Sequence, residues 1–356
     1  MLVSAARPGL DRRRLLGGLV TVAALGWSAP RASAQSPGPA SVLGWSDDLG
    51  QDNGKLSVAT TVAPISSIVR NIGGNRINLR GIVPDGVNSH TFEPAPSDAA
   101  ILAAADLIIV NGLGLELPAM ALAEANLKAR AEIVPLGDQT ITEAEWLFDF
   151  SFPEENGQPN PHLWTNVAYA RDYAELVAAK LSERDPDNVE YYAENRDRYA
   201  VVLADLDDGI MAAVATVPEA NRKLVTFHDS WAYFAPRYGM TVIGAVQPSD
   251  FSEPSPREVA ELITQIREEQ VPAVFGSEVF PSDILKQIAA ESGAAYVDQL
   301  RDDAPPGEPG DPEHTYVGMM LRNMELMIPA LGGNTGALAG IEPHDTYLPT
   351  DERDGG

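Results

Sequence analysis

Five histidines are spread through the 356 residues, at positions 90, 162, 228, 314 and 344, and no cysteine accompanies them. Thiolate ligands and disulfides are therefore excluded, and a metal site has to be built from imidazole and carboxylate. Four of the five stand where a loop should meet a regular element, in NSHTFEP around His90, NPHLWTN around His162, TFHDSWAYF around His228 and DPEHTYVGMM around His314. Spacings of 72, 66 and 86 residues rule out a local finger or helix-face motif, so a shared site would have to be assembled by the fold across a cleft. Four neutral imidazoles can offer four nitrogens to a divalent ion in a tetrahedral shell, which zinc accepts because its filled d-shell imposes no preference. Four unrelated, solvated turn histidines are the competing reading. His344 lies in a breaker-rich tail and reads as solvated.

The elements that must position these side chains are written in the hydrophobic pattern. From Lys55 onward, LSVATT reads as a strand, APISSIVRNIGG as a helix closed by glycines, INLRGIV as a strand, PSDAAILAAA as a helix, DLIIVNG as a buried strand, ELPAMALAEANLKAR as a helix and AEIVPLG as a strand. The same order restarts at Lys223 with KLVTFH, SWAYFAPRYG, MTVIGAV, SPREVAELITQIREEQ, PAVFGSE, PSDILKQIAAESG and AAYVDQL, and ends in a helix over TYVGMMLRNMELMIPAL. Such alternation predicts α/β architecture: two lobes, each with a mainly parallel sheet flanked by helices. Between them, residues 185–218 read as one long rigid helix opened by Asp185 and Pro186, with a break at Gly209 as the alternative. The expected divisions are an N-terminal lobe over 55–184, the linking helix over 185–218, a C-terminal lobe over 219–332 and a flexible tail over 333–356. In open α/β sheets ligands gather beyond the carboxyl ends of strands, which is where His90 and His228 fall.

Residues 1–34 have the layout of an export signal, with Arg12, Arg13 and Arg14 ahead of a short apolar stretch and Ala32, Ser33 and Ala34 as a cleavage site. The arginines resemble a twin-arginine signal, and residues 35–54 read as a flexible lead-in. The formal charge is −26, and about −30 once the five arginines and one aspartate of residues 1–34 are set aside. Nucleic acid is a poor partner for such a surface. With no cysteine to carry a lipid anchor, the mature chain is expected to be soluble in a periplasm.

Several motifs occur in order: NSHTFEPAPSD, ADLIIVNGLGLE at 105–116, NPHLWTNVAYA, TFHDSWAYFAPRYG, EPSPREVAELI at 253–263 and TYVGMMLRNM at 315–324. Through them, over about residues 55–332, the chain resembles the metal-binding solute-binding proteins of bacterial ABC importers, the zinc and manganese receptors whose two α/β lobes share one long helix. The resemblance implies metal ligands at His90, His162 and His228, and a fourth ligand at His314, where the family more often has aspartate; Asp311, Glu313 or water could stand there instead. It implies Zn²⁺ as transported ligand, an ABC transporter membrane permease as partner, and a monomer with no enzymatic activity. Imidazole at His228, where manganese and iron receptors usually carry a carboxylate, favours zinc. Asp229, Glu278 and Asp311 are candidates to offset the ion's charge or orient an imidazole.

The segment ITEAEWLFDFSFPEENGQPN lacks the histidine-rich loop of many zinc receptors. Its Glu143, Glu145, Asp149, Glu154 and Glu155 read as a solvated acidic loop, or else as a weak cation funnel. Affinity should fall as pH drops toward 6, because the imidazoles must be neutral. Three alternatives compete: the same fold serving manganese or ferrous iron, a zinc hydrolase with Glu313 as base, and an adhesive or purely structural surface protein. The second lacks HExxH, and the third fits an exported soluble chain poorly.

Overall fold

The computed structural model describes residues 50, 52–249, 251–279 and 282–347; the expected export signal, most of the lead-in and the end of the tail lie outside them. In the N-terminal half, β1 (Leu56–Thr60), α1 (Ala63–Gly73), β2 (Ile77–Gly81), α2 (Pro96–Ala104), β3 (Leu107–Val110), α3 (Leu117–Asn126), β4 (Glu132–Pro135) and α4 (Leu136–Thr140) alternate, followed by α5 (Val167–Arg184). Helix α6 (Val189–Ala215) then leads to β5 (Lys223–Thr226), α7 (Phe234–Tyr238), β6 (Thr241–Ala245), α8 (Pro256–Glu268), β7 (Ala273–Ser277), α9 (Asp283–Ser292), β8 (Ala295–Leu300) and α10 (Tyr316–Ala330). Each half carries a four-stranded, all-parallel sheet, in the orders β2-β1-β3-β4 and β6-β5-β7-β8. Strands such as LIIV and AVFGS are buried along their whole length, since helices cover both faces of a parallel sheet.

Helix α6 is continuous through Gly209 and, at 1.5 Å per residue, about 40 Å long. Tyr192, Asn195, Tyr199, Leu203, Leu206, Ile210 and Ala213 form its buried stripe, spaced three and four residues apart. That stripe packs on α1, α5 and α10. Its start is fixed by Asp185, whose carboxylate accepts from the Tyr192 hydroxyl at 2.6 Å. Helix α10 crosses back to the N-terminal lobe, where the Tyr316 amide donates to Ser67 Oγ at 2.8 Å and its hydroxyl to the Trp164 carbonyl at 2.7 Å. One apolar core consequently runs from the first sheet through these helices to Trp231, Phe234 and Phe275 of the second lobe, while a smaller core lies beneath α8 and α9.

The C-terminal segment departs from the flexible tail expected over 333–356. Leu338 is buried and Ile341 packs on the main core, Arg70 Nε meets Asp345 Oδ2 at 2.7 Å, and Asn71 bonds Asp345 and Thr346. Leu338 and Ile341 lie over Gly209: a Cβ there would stand 2.9 Å from Leu338 Cδ2 and 3.2 Å from Ile341 Cδ1. The glycine that suggested a helix break is instead the seat of the tail. Breaker-rich composition concealed two apolar side chains with a place to dock. Among the described residues, no helix is long and apolar enough to cross a membrane.

Candidate metal centre

His90 follows β2 on a short 3₁₀ turn, Ser89–Thr91, and its amide donates to Asn88 Oδ1 at 2.9 Å. His162 repeats this device: its amide donates to Asn160 Oδ1 at 2.9 Å. An asparagine two residues ahead of a histidine folds an Asx turn that fixes the histidine backbone. The His162 loop is further held by Asn111, whose Nδ2 donates to the Pro161 carbonyl at 2.9 Å and whose Oδ1 accepts from the Tyr173 hydroxyl at 2.8 Å. Asn111 is kept in place by buried Glu116, whose Oε1 accepts the Asn111 amide at 2.7 Å and the Thr61 hydroxyl at 2.6 Å. This is the structural content of the NGLGLE segment. His228 stands just beyond the carboxyl end of β5, the strand at which the order of the second sheet reverses, and its carbonyl accepts from Thr226 Oγ1 at 2.8 Å.

The structure brings His90, His162 and His228 together. Their Nε2 atoms form a triangle with edges of 3.2, 3.1 and 3.4 Å. Two of the three tautomers follow from the outer partners. His162 Nδ1 lies 2.8 Å from Asn160 Oδ1 and His228 Nδ1 lies 3.1 Å from Gln247 Oε1. Amide oxygens only accept, so the ring proton resides on Nδ1 and a bare lone pair on each Nε2. Asn160 is oriented without ambiguity, because its Nδ2 donates to Asp149 Oδ2 and to the Asp229 carbonyl, both at 2.6 Å. Burial lowers the pKa of all three imidazoles; neighbouring His228 adds to this for His90 and His162, while Asp302 and Gln247 partly counter it for His228. Neutral imidazoles with converging lone pairs repel one another until a cation sits between them.

The fourth position is a correction. His314, to which the resemblance assigned it, does not join the triangle, and neither do Asp311 and Glu313: among the described residues the group within ligand reach consists of His90, His162 and His228. The loop ahead of α10 folds on itself, with the Glu308 amide donating to Asp311 Oδ2 at 2.9 Å and His314 Nδ1 to the Pro306 carbonyl at 3.1 Å. His314 Nε2 instead faces Asp85 of the other lobe at 3.3 Å. The carboxylate beside the triangle is Asp302, with Oδ2 3.9 Å from His162 Nε2. Its loop is shaped by Glu278, whose Oε1 accepts the amides of Asp302, Asp303 and Ala304 at 3.0, 3.1 and 3.2 Å. Trp164 Nε1 donates to the Asp302 carbonyl at 2.9 Å, and Ser89 Oγ donates to Asp303 at 3.0 Å, tying the loop to the residue before His90. His344 is exposed and apart from the group.

Glu278 thus organises a backbone turn and touches no imidazole. Asp229 is buried and lies outside the group within ligand reach; burial, and then Asp149, raise its pKa, and the Trp231 and Phe150 amides partly counter this. In the acidic segment, Glu143, Glu145, Glu154 and Glu155 are exposed. Asp149 turns inward, accepts the Ser151 and Phe152 amides at 3.0 and 2.9 Å, and is pushed up to about 6 by burial. Sequence reading missed Asn160, Gln247 and Asp302. Only Asn160 left a signal, the repeated Asn-x-His of NSH and NPH.

Two parallel-sheet lobes with one convergent set of imidazole nitrogens between them define a receptor for a divalent metal ion. The chain belongs to the family described as Zinc-uptake complex component A periplasmic, whose profile matches residues 58–330. The manganese-binding lipoprotein MntA of Halalkalibacterium halodurans is 29% identical over 281 residues, covering 79% of this chain and 90% of that protein. Among solved structures, the periplasmic zinc binding protein TroA of Treponema pallidum is 29% identical with a TM-score of 0.71, covering 78% of this chain and 99% of that one. A manganese-bound periplasmic metal binding protein from Candidatus Liberibacter asiaticus is 25% identical with a TM-score of 0.69, covering 78% of this chain and 100% of the other. The protein is accordingly the substrate-binding component of a metal ABC importer, a receptor rather than an enzyme.

Proposed function

We infer that the cargo is Zn²⁺, captured from the periplasm by His90, His162 and His228 with Asp302 as fourth ligand and passed to a membrane permease. The observation that carries this is the pair of committed tautomers: Asn160 and Gln247 hold the ring protons of His162 and His228 on Nδ1, leaving lone pairs aimed at one point. Zinc–nitrogen bonds of about 2.0–2.1 Å in a tetrahedron separate the nitrogens by about 3.3 Å, and the triangle's edges run from 3.1 to 3.4 Å. Asp302 is not yet at bonding distance, so loading requires a small inward movement of its loop. Its carboxylate would offset one of the ion's two charges. Absence of cysteine from the sequence supports a receptor without a cysteine-linked lipid, unlike the relatives named as lipoproteins.

Manganese is the second reading, favoured by the name of the MntA relative and by the oxygen donor that Asp302 supplies. Titration calorimetry on chelator-stripped protein, with Zn²⁺ and Mn²⁺ in competition, separates the two. Saturable one-equivalent binding with Zn²⁺ preferred is expected. Preference for Mn²⁺ would transfer the assignment, and no saturable binding of either would refute the site.

A further inference from the structure

The imidazoles do not share one environment. His162 and His228 are buried, whereas His90 is half-buried and lines a cavity of about 330 Å³ together with Leu117, Gln158 and Ser249. Two phenyl rings that line the same cavity press on the histidine cluster from separate loops. The Phe152 centroid lies 5.3 Å from that of His90, 5.7 Å from His162 and 5.6 Å from His228. Phe251 stacks on His90 at 4.9 Å with 22° between planes, and stands 5.9 Å from His228. The two phenyl rings meet at 6.1 Å.

Phenyl carbons cannot coordinate a metal, and they occupy space that water would otherwise fill beside the ligands. With only three imidazole nitrogens and one nearby carboxylate to offer, this chain can complete a six-coordinate shell only by admitting water, whereas a zinc bound by three nitrogens and one carboxylate oxygen needs none. We propose that Phe152 and Phe251 are specificity-determining residues: they exclude water ligands from the cavity side of the histidine triangle and so favour a four-coordinate over a six-coordinate cargo ion. The proposal rests on the metal reading above and adds the origin of its selectivity. The phenyl rings act by what they deny to the ion.

The test uses the full chain, stripped of metal, as wild type, Phe152→Ala, Phe251→Ala and Phe152→Leu, with Zn²⁺ and Mn²⁺ as probes. Either alanine variant should raise the Mn²⁺-to-Zn²⁺ affinity ratio about tenfold, one decade of binding constant. Water-proton relaxation by bound Mn²⁺ should rise in the same variants, because waters enter the coordination shell. Phe152→Leu, which stays apolar and bulky, should keep the wild-type ratio. Unchanged ratio and relaxation in both alanine variants would overturn the proposal, as would a leucine variant that shifts as far as the alanine one. Failure of the wild type itself to bind one equivalent of metal would instead remove the underlying site, and the two failures are distinguishable in one titration series.

Discussion

Gln247 touches His228 Nδ1 and is the cleanest probe of how the ligands are held. Partners that fix a ligating imidazole contribute roughly 10–100-fold in metal affinity, so Gln247→Leu should weaken Zn²⁺ binding by that order while leaving one equivalent bound. His314→Ala should leave both stoichiometry and affinity unchanged in the same titration, because that ring faces Asp85. Burial acts against protonation of His314, but Asp85 together with the Pro306 and Gly307 backbone outweighs it and the pKa is raised. A raised histidine stabilises the fold fully below its unfolded value of about 6.5, and that contribution disappears as pH rises through the folded value. The triangle has the opposite sign: its lowered pKa values give stability present above about 6.5 and lost as pH falls. Urea unfolding of metal-free wild type and Asp85→Asn from pH 5 to 8 should therefore show the Asp85 contribution shrinking toward alkaline pH. An Asp85→Asn offset that is constant across the range would contradict the ion pair. That His90, His162 and His228 belong together was legible because histidine is scarce here and each stands in a distinctive motif. The fourth position was not, since three acidic or imidazole candidates lay close to TYVGMM and only the folded loop reveals that Asp302 faces the site.

At the scale of elements, the eight strands and their parallel sense followed from apolar runs and their alternation with helices, whereas helices α4 and α5 and the strand order of each sheet were not read from sequence. What escaped were the pieces whose order depends on distant partners. The segment 141–160 was read by its charges, yet its place is set by Asp149 and Phe152, which turn inward onto Asn160 and the histidine rings. The tail was read by its glycines, yet Leu338 and Ile341 settle over Gly209. Gly209→Ala tests this: alanine favours an exposed helix by about 1 kcal/mol, so a free tail predicts stabilisation. The docked tail predicts the reverse, with faster proteolytic cleavage after residue 332 and a lower melting temperature. A more stable variant with unchanged cleavage would show that the tail is not seated there.

For the molecule as a whole, a ligand bound only by the folded state stabilises it by about 4 kcal/mol at a thousandfold excess over Kd. Zn²⁺ should therefore raise the thermal midpoint of stripped protein by several degrees, and His162→Ala should abolish the rise. A shift that survives His162→Ala would place the ion elsewhere. The apolar core that runs through α1, α6 and α10 bears on how the cargo leaves. Two bodies sharing one packed interior cannot swing apart without breaking it, whereas the His90 and Asp302 loops join each other through the bond from Ser89 to Asp303. On the ligand set proposed above, unloading at the permease would be a local event, in which displacing one loop draws away His90 and Asp302 together.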